Sequence, residues 1–171
     1  MKLLPLSRGL FSIVDDDDFE FLSQWKWFAF KASGSKRLFY AIRTDYSNKK
    51  ILYAHKLLLG AKPGMVIDHI NGNSLDNRRA NLRHCSIKEN VRNQAPRVGF
   101  TSKYKGVAWR ADRSKWTAYI CPDRKKLNLG VFRSEHNAAY AYDKAALKHF
   151  GQYARINFPS LNTNGMRAVN G

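Results

Sequence analysis

Asp68 and His69 stand side by side at the end of a short apolar run, Met65-Val66-Ile67-Asp68-His69, and Asn81 and Asn90 follow downstream. An imidazole beside a carboxylate joins a group that can take a proton near neutral pH to a hard oxygen donor. Such a pair alone is more often a surface pair or a satisfied histidine than a site, so its weight depends on its company. Imidazole, carboxylate and amides together are the side chains of metal-assisted hydrolysis. That chemistry needs an activated water, neutralisation of the charge that builds in the transition state, and stabilisation of a leaving oxygen. Adjacent strand residues project to opposite faces, so the strand must end or bulge at this pair if both are to reach one reacting group.

The elements that must position these residues are legible around them. Residues 65 to 95 read as strand, loop, strand, helix. Asn71-Gly72-Asn73 marks a tight turn, Asn81-Leu82-Arg83-His84 is the second strand, and Ser86-Ile87-Lys88-Glu89 is a capping box that opens a helix ended by Pro96. Upstream, Leu10 to Val14 is strand-like, and an aspartate of the run Asp15 to Asp18 can cap a brief helix carrying Phe19, Leu22 and Trp25. Leu38 to Ile42 and Ile51 to His55 flank a turn and predict a hairpin.

Asp68-His69-Ile70-Asn71-Gly72-Asn73, then Asp76-Asn77-Arg78-Arg79, Asn81-Leu82-Arg83 and Asn90 closely resemble the HNH homing endonucleases of phages and introns. The likeness extends upstream through Val14-Asp15-Asp16, Trp25-Lys26-Trp27 and His55-Lys56-Leu57. The resemblance implies that Asp68 and Asn90 are metal ligands, with Asn93 one turn further along as the alternative to Asn90. It also implies that His69 is the general base and that Asn81 orients its ring through its side-chain amide or neighbouring backbone. Carboxylate and amide oxygens suit one hard divalent ion, Mg²⁺ or Mn²⁺, rather than zinc. His55 and His84 read as structural residues or DNA contacts.

The net charge of +17 and the pI near 10.1 point to a polyanionic partner. Past a polar, basic stretch from Gln94 to Ser102, three strand-like runs (Gly106 to Arg110, Trp116 to Cys121, Leu127 to Phe132) precede a helix from near Ser134 to Phe150 that Gly151 stops. Tyr104-Lys105-Gly106-Val107, Trp109-Arg110, Lys115-Trp116-Thr117-Ala118, Leu129-Gly130-Val131-Phe132, Ala138 to Asp143 and Asn157-Phe158 together resemble the Apetala/ethylene-response-factor DNA-binding domain. In that family a three-stranded sheet lies in the major groove. The resemblance makes Arg110, Trp116 and Lys126 contact residues and Trp109, Arg113, Lys115, Arg124 and Lys125 phosphate neighbours. Ala108, Tyr119, Cys121 and Asn128 depart from the plant pattern, so the plant recognition sequence does not transfer. Tyr140 and Tyr142 read as core aromatics, and Trp116 reads equally as a core aromatic or a contact.

The expected fold class is α+β, with a ββα-metal nuclease domain preceded by small β-hairpin elements, and a three-stranded antiparallel sheet packed on one helix. The expected divisions are residues 1–95, a linker over 96–102, a DNA-binding domain over 103–158 and a flexible tail over 159–171. Cys85 and Cys121 lack a CxxC partner and read as reduced thiols. No apolar run approaches the ~20 residues that span a bilayer. The expectation is a soluble, DNA-associated protein of the cytoplasm that acts on double-stranded DNA, with no membrane and no obligate protein partner. The rival class is a non-catalytic DNA-binding regulator built on a degenerate nuclease fold, and a less favoured one is an RNA-binding protein.

Overall fold

The computed structural model describes residues 1–33, 38–95 and 101–159. It is mixed α and β throughout, as expected for an α+β chain, and it divides into two compact units between Asn90 and Val91. The residues 96–100 of the expected linker and the tail from residue 160 lie outside the described residues.

In the first unit, β1 (Lys2–Pro5) and β2 (Phe11–Val14) form an antiparallel hairpin, followed by α1 (Asp16–Ser23). Strands β3 (Phe28–Lys31), β4 (Phe39–Asp45) and β5 (Lys50–Tyr53) make an antiparallel meander in that order. A short helix α2 (Ala54–Leu59) leads to β6 (Val66–His69), which pairs with β7 (Leu82–Cys85), and α3 (Ile87–Asn93) follows in β–β–α order, running past the division at Asn90. Leu4, Val14, Leu22, Trp27, Ala41, Ala54, Leu58 and Leu82 gather into one core, to which the hairpin, α1, β4, α2 and β7 all contribute. Burial of apolar side chains at about 25 cal/mol per Å² is the main force holding these short elements together.

Two local expectations change. The run Ile51 to His55 is strand only to Tyr53, where α2 begins. Ala54 and Leu58, one helical turn apart, are both buried in the core, and that packing outweighs the strand preference of the preceding residues. Asp15 does occupy the N-cap position of α1, but its side chain caps nothing there; Oδ2 instead accepts the Arg79 backbone N–H at 2.7 Å. The indole that fills the core is Trp27, whose Nε1 donates to the Leu22 carbonyl at 2.8 Å.

In the second unit β8 (Val107–Arg110), β9 (Lys115–Ile120) and β10 (Leu127–Phe132) form an antiparallel sheet with β9 central, and α4 (Glu135–Phe150) packs on one face. Ser134 caps α4 through its side chain and Gly151 ends it. Ala138, Ala139 and Ala146 are fully buried, which lets the helix lie close to the sheet. Asp143, also fully buried, accepts from Asn157 N at 2.8 Å, Asn157 Nδ2 at 2.9 Å and Phe158 N at 2.9 Å, and so ties down the segment after the helix. Within the stretch read as linker, Ser102 is built into this unit: its Oγ donates to Glu135 and accepts from Tyr104 N.

Gly106 sits where this approach is tightest. Its φ is +74°, and a Cβ there would lie 2.0 Å from Tyr142 Cδ2 and 2.7 Å from the Tyr119 carbonyl oxygen. Gly106→Ala combines left-handed strain with overpacking and should destabilise the protein by about 3 kcal/mol. Thermal denaturation followed by circular dichroism checks this, and an unchanged midpoint would show that the helix can retreat without cost.

Candidate active site

β6 ends at His69, as the expectation of a strand end required, and its last two residues, Asp68 and His69, are both buried. Asp68 pairs across the ladder with Arg83, whose Nε and Nη2 both donate to Asp68 Oδ2, at 3.0 and 2.7 Å. The two charge-assisted bonds fix the carboxylate in place and offset part of the desolvation cost of burying the pair. His69 is opposite Leu82.

The His69 ring meets Asn77, with 3.1 Å between His69 Nε2 and Asn77 Oδ1. Burial pushes the imidazole pKa below its ordinary value, while the Asn77 bond and the carboxylates of Asp68 and Asp76 oppose that shift. The net result is a neutral ring at neutral pH, which is the state able to accept a proton. Around it stand Tyr40 from β4 and His55 from α2, their ring centroids 6.4 and 5.2 Å from that of His69, and Tyr53 lies against both Tyr40 and His55. Burial drives the His55 pKa down to about 3, so His55 is a neutral packing partner of the site. His84 is also structural, donating from Nε2 to the Gly60 carbonyl at 2.9 Å.

Asn81 works on the loop rather than on the ring. Its Oδ1 accepts from Asn71 N at 3.0 Å, its Nδ2 donates to the Asp76 carbonyl at 2.7 Å, and its backbone oxygen accepts from Ile70 N at 2.8 Å. Of the two routes expected for Asn81, side-chain amide or neighbouring backbone, its bonds fall on the backbone that follows His69, while the amide that touches the ring is that of Asn77. Asn77 falls within the Asp76-Asn77-Arg78-Arg79 motif, where no local signal assigns it a role. Tyr40 and Tyr53 carried no local signal, because a fold contact between distant strands brings them to the site.

Asp76 is the second anchor of the loop. Its carboxylate takes a two-point bond from Arg78, at 2.7 and 2.6 Å, and one from Asn71 Nδ2 at 2.8 Å. Arg79 reaches out of the loop to α1 and α2, donating to both carboxylate oxygens of Asp18 and to the Leu58 carbonyl. Asn90 lies in the first turns of α3, whose start is fixed by the reciprocal bonds between Ser86 and Glu89. The two residues expected as metal ligands, Asp68 and Asn90, thus lie on β6 and α3. Among the described residues no three His, Cys, Asp or Glu side chains gather in one cluster. A carboxylate has about four lone-pair sites, so the two bonds from Arg83 are compatible with a metal contact, and a carboxylate with an amide suits a hard ion.

In the second unit, the strand register separates two faces. Val107, Ala118 and Ile120 face the helix, while Arg110, Lys115, Thr117 and Tyr119 alternate onto the other side. Trp116 falls on the helix side, packed against the Val107, Ala118, Ala138 and Ala139 cluster and edge-on to Trp109 at 5.0 Å. Of the two roles open for this partly buried residue, core aromatic or groove contact, the packing fits the first. Trp109, its cross-strand partner, remains more than a third exposed. Arg110, Lys115, Arg113, Arg124, Lys125 and Lys126 are exposed. Arg110 is held by Asp112 in a solvent-facing ion pair, and the Lys126 ammonium lies 4.4 Å from the Tyr119 ring centroid. Tyr142 is core as expected, but Tyr140 is not: it is exposed along one side and stacks on Phe158 at 4.4 Å.

The family model for HNH endonucleases matches residues 55–92, the stretch that runs from α2 through α3. A protein of Escherichia phage T7, protein 3.8, is 36% identical over 93 residues, covering 54% of this chain and 76% of its own length. An uncharacterized HNH endonuclease of Acanthamoeba polyphaga mimivirus is 25% identical over 158 residues, 91% of this chain and 79% of that protein. An AP2/ERF and B3 domain-containing transcription factor of Arabidopsis thaliana is 39% identical over 66 residues, 37% of this chain and 18% of the plant protein. The chain belongs to the HNH endonuclease family and carries an additional AP2-like similarity. No helix among the described residues is long and apolar enough to cross a membrane.

The bonds from Arg78 and Asn71 hold the Asp76 carboxyl below its ordinary pKa of 3.8. A depressed carboxyl stabilises the fold above its unfolded pKa and loses that contribution as pH falls through its folded value. Asp76→Asn should therefore lower stability at pH 7 by roughly 2 kcal/mol, and the gap to wild type should close below about pH 4. Urea denaturation across that range checks it. A gap that persists in acid would assign the effect to shape rather than charge.

Proposed function

We propose that this nuclease hydrolyses phosphodiester bonds in duplex DNA, with His69 as general base and one divalent cation held by Asp68 and Asn90. The observation that carries the reading is His69 itself, a buried, neutral imidazole at a strand end beside a carboxylate that Arg83 bonds at 2.7 Å. When bound, the cation would neutralise charge on the scissile phosphate and stabilise the leaving oxygen. Mg²⁺ and Mn²⁺ fit the donor set best.

The side chains do the remaining work. His69 takes the proton of the attacking water, and the ring packing of Tyr40 and His55 limits how it can turn and keeps bulk solvent from one side. Asp68 and Asn90 supply oxygen donors from two separate elements, the strand end and the helix that follows β7. Asn81 and Asp76 hold the intervening loop so that these elements keep their spacing. The second unit supports DNA engagement through Arg110, Arg113, Lys115, Arg124, Lys125 and Lys126, which form a basic set along the sheet edge, turns and open face. Likeness to the plant DNA-binding domain supports the same reading. Because these contacts go largely to phosphates, binding should weaken steeply with salt.

Supercoiled plasmid is the direct substrate for a test. The wild type should convert it to nicked or linear product with Mg²⁺ or Mn²⁺ and not with EDTA. His69→Ala should reduce conversion by at least ~100-fold while leaving DNA affinity unchanged, because a general base acts in the chemical step alone. Loss of binding in parallel with cutting would give His69 a structural role instead.

A further inference from the structure

We propose that Ser12, in the N-terminal hairpin, acts through Asn77 to fix the tautomer of His69, so that Nδ1 is the atom that accepts the proton. The inference rests on the reading of His69 as base and adds two positioning residues and an assignment of the reacting nitrogen.

Ser12 and Asn77 are both fully buried and lie far apart in the chain. Ser12 Oγ lies 3.0 Å from the Leu75 carbonyl, Asn77 Nδ2 lies 2.7 Å from Ser12 Oγ, and Asn77 Oδ1 lies 3.1 Å from His69 Nε2. The polarity of this chain follows from its far end. A backbone carbonyl can only accept, so the Ser12 hydroxyl spends its one proton on Leu75 and presents a lone pair to Asn77. The Asn77 amide must then turn its NH₂ toward Ser12 and its oxygen toward the imidazole. An amide oxygen can only accept, so Nε2 carries the proton and the lone pair of the neutral ring is left on Nδ1. The reverse orientation of Asn77 would set its oxygen against a Ser12 oxygen whose proton is already committed, an uncompensated contact in a dry site.

The backbone around these residues is locked to the same partner. Ile13 N donates to the Leu75 carbonyl and Asn77 N to the Ile13 carbonyl, both at 2.8 Å, and Ile13 forms a parallel bridge with Asp76. The hairpin is thereby a short third strand for the loop that carries Asn77. Without the Ser12 hydroxyl, the Asn77 amide loses the group that decides which way it faces and can present NH₂ to the ring, which favours the opposite tautomer.

The test uses full-length protein with ¹⁵N-labelled histidine. Long-range ¹H–¹⁵N correlation spectra at a pH where the ring is neutral report the tautomer without DNA or metal. The wild type should show the Nε2–H form at His69. Ser12→Ala should mix or reverse the tautomers and lower kcat for plasmid cleavage by roughly 100-fold, the low end of what a general base contributes, with KM unchanged. Ser12→Thr, which keeps the hydroxyl, should restore both. A wild-type ring protonated at Nδ1 overturns the proposal, as does a Ser12→Ala protein with unaltered tautomer and kcat. If Ser12→Ala does not fold, the wild-type spectrum and that of Ser12→Thr decide alone. Cleavage by His69→Ala at the wild-type rate would instead remove the nuclease role of His69 and leave the tautomer result standing.

Discussion

The loop between β6 and β7 crosses the site with polar residues at most positions, Ile70, Leu75 and Ala80 apart, so polar groups must satisfy its backbone and hold its shape. Asn71, Asn73, Asp76, Asn77 and Asn81 do this from within, and Ser12, Asp15 and Asp18 do it from the N-terminal elements. A buried amide or carboxylate left unpaired costs about 1–3 kcal/mol, so this network is stable only when complete. The position of His69 depends on it, because the ring sits at the strand end where the loop begins and is bonded to a loop side chain.

This dependence gives the N-terminal segment a physical purpose. The hairpin and α1 bury Leu4, Val14 and Leu22 in the common core, and the same elements send polar side chains to the loop. Apolar burial supplies the affinity between the layers, and the polar bonds choose one register for the loop. The acidic run is accordingly divided in its duties: Asp15 and Asp18 grip Arg79, while Asp16 accepts from the chain's own N-terminus. The second unit uses the same tactic with fewer parts, since the buried Asp143 gathers the backbone and side chain of Asn157 and the backbone of Phe158.

What could be read from the chain alone were features encoded locally. The capping box at Ser86, the Ser134 to Gly151 helix, the three strands before it and the turn at Gly72 all depend on residues a few positions apart. Asp68 and His69 were legible because their order and spacing follow a known motif. The bond from Ser12 to Asn77 spans 65 positions and follows from no periodicity or propensity. The role of Trp116 stayed open for a related reason: strand alternation assigns a face only once the register with β8 and β10 is known, and Val107 opposite Ala118 sets that register. Helix α2 escaped notice because its few residues are too short to show a period, and the core contacts of Ala54 and Leu58 define it.

The central claim is that the site loop is held as firmly as the core by its polar network. Native-state hydrogen exchange of the full chain measures this at the amides of Ile13, Ile70, Asn71 and Asn77, each of which donates to a group in the network. The account predicts protection at these amides close to that of the β6 and β7 ladder, since all would open only with the whole unit. Exchange at the rates of an open surface loop, beside a protected ladder, would show that His69 is positioned by something other than this network.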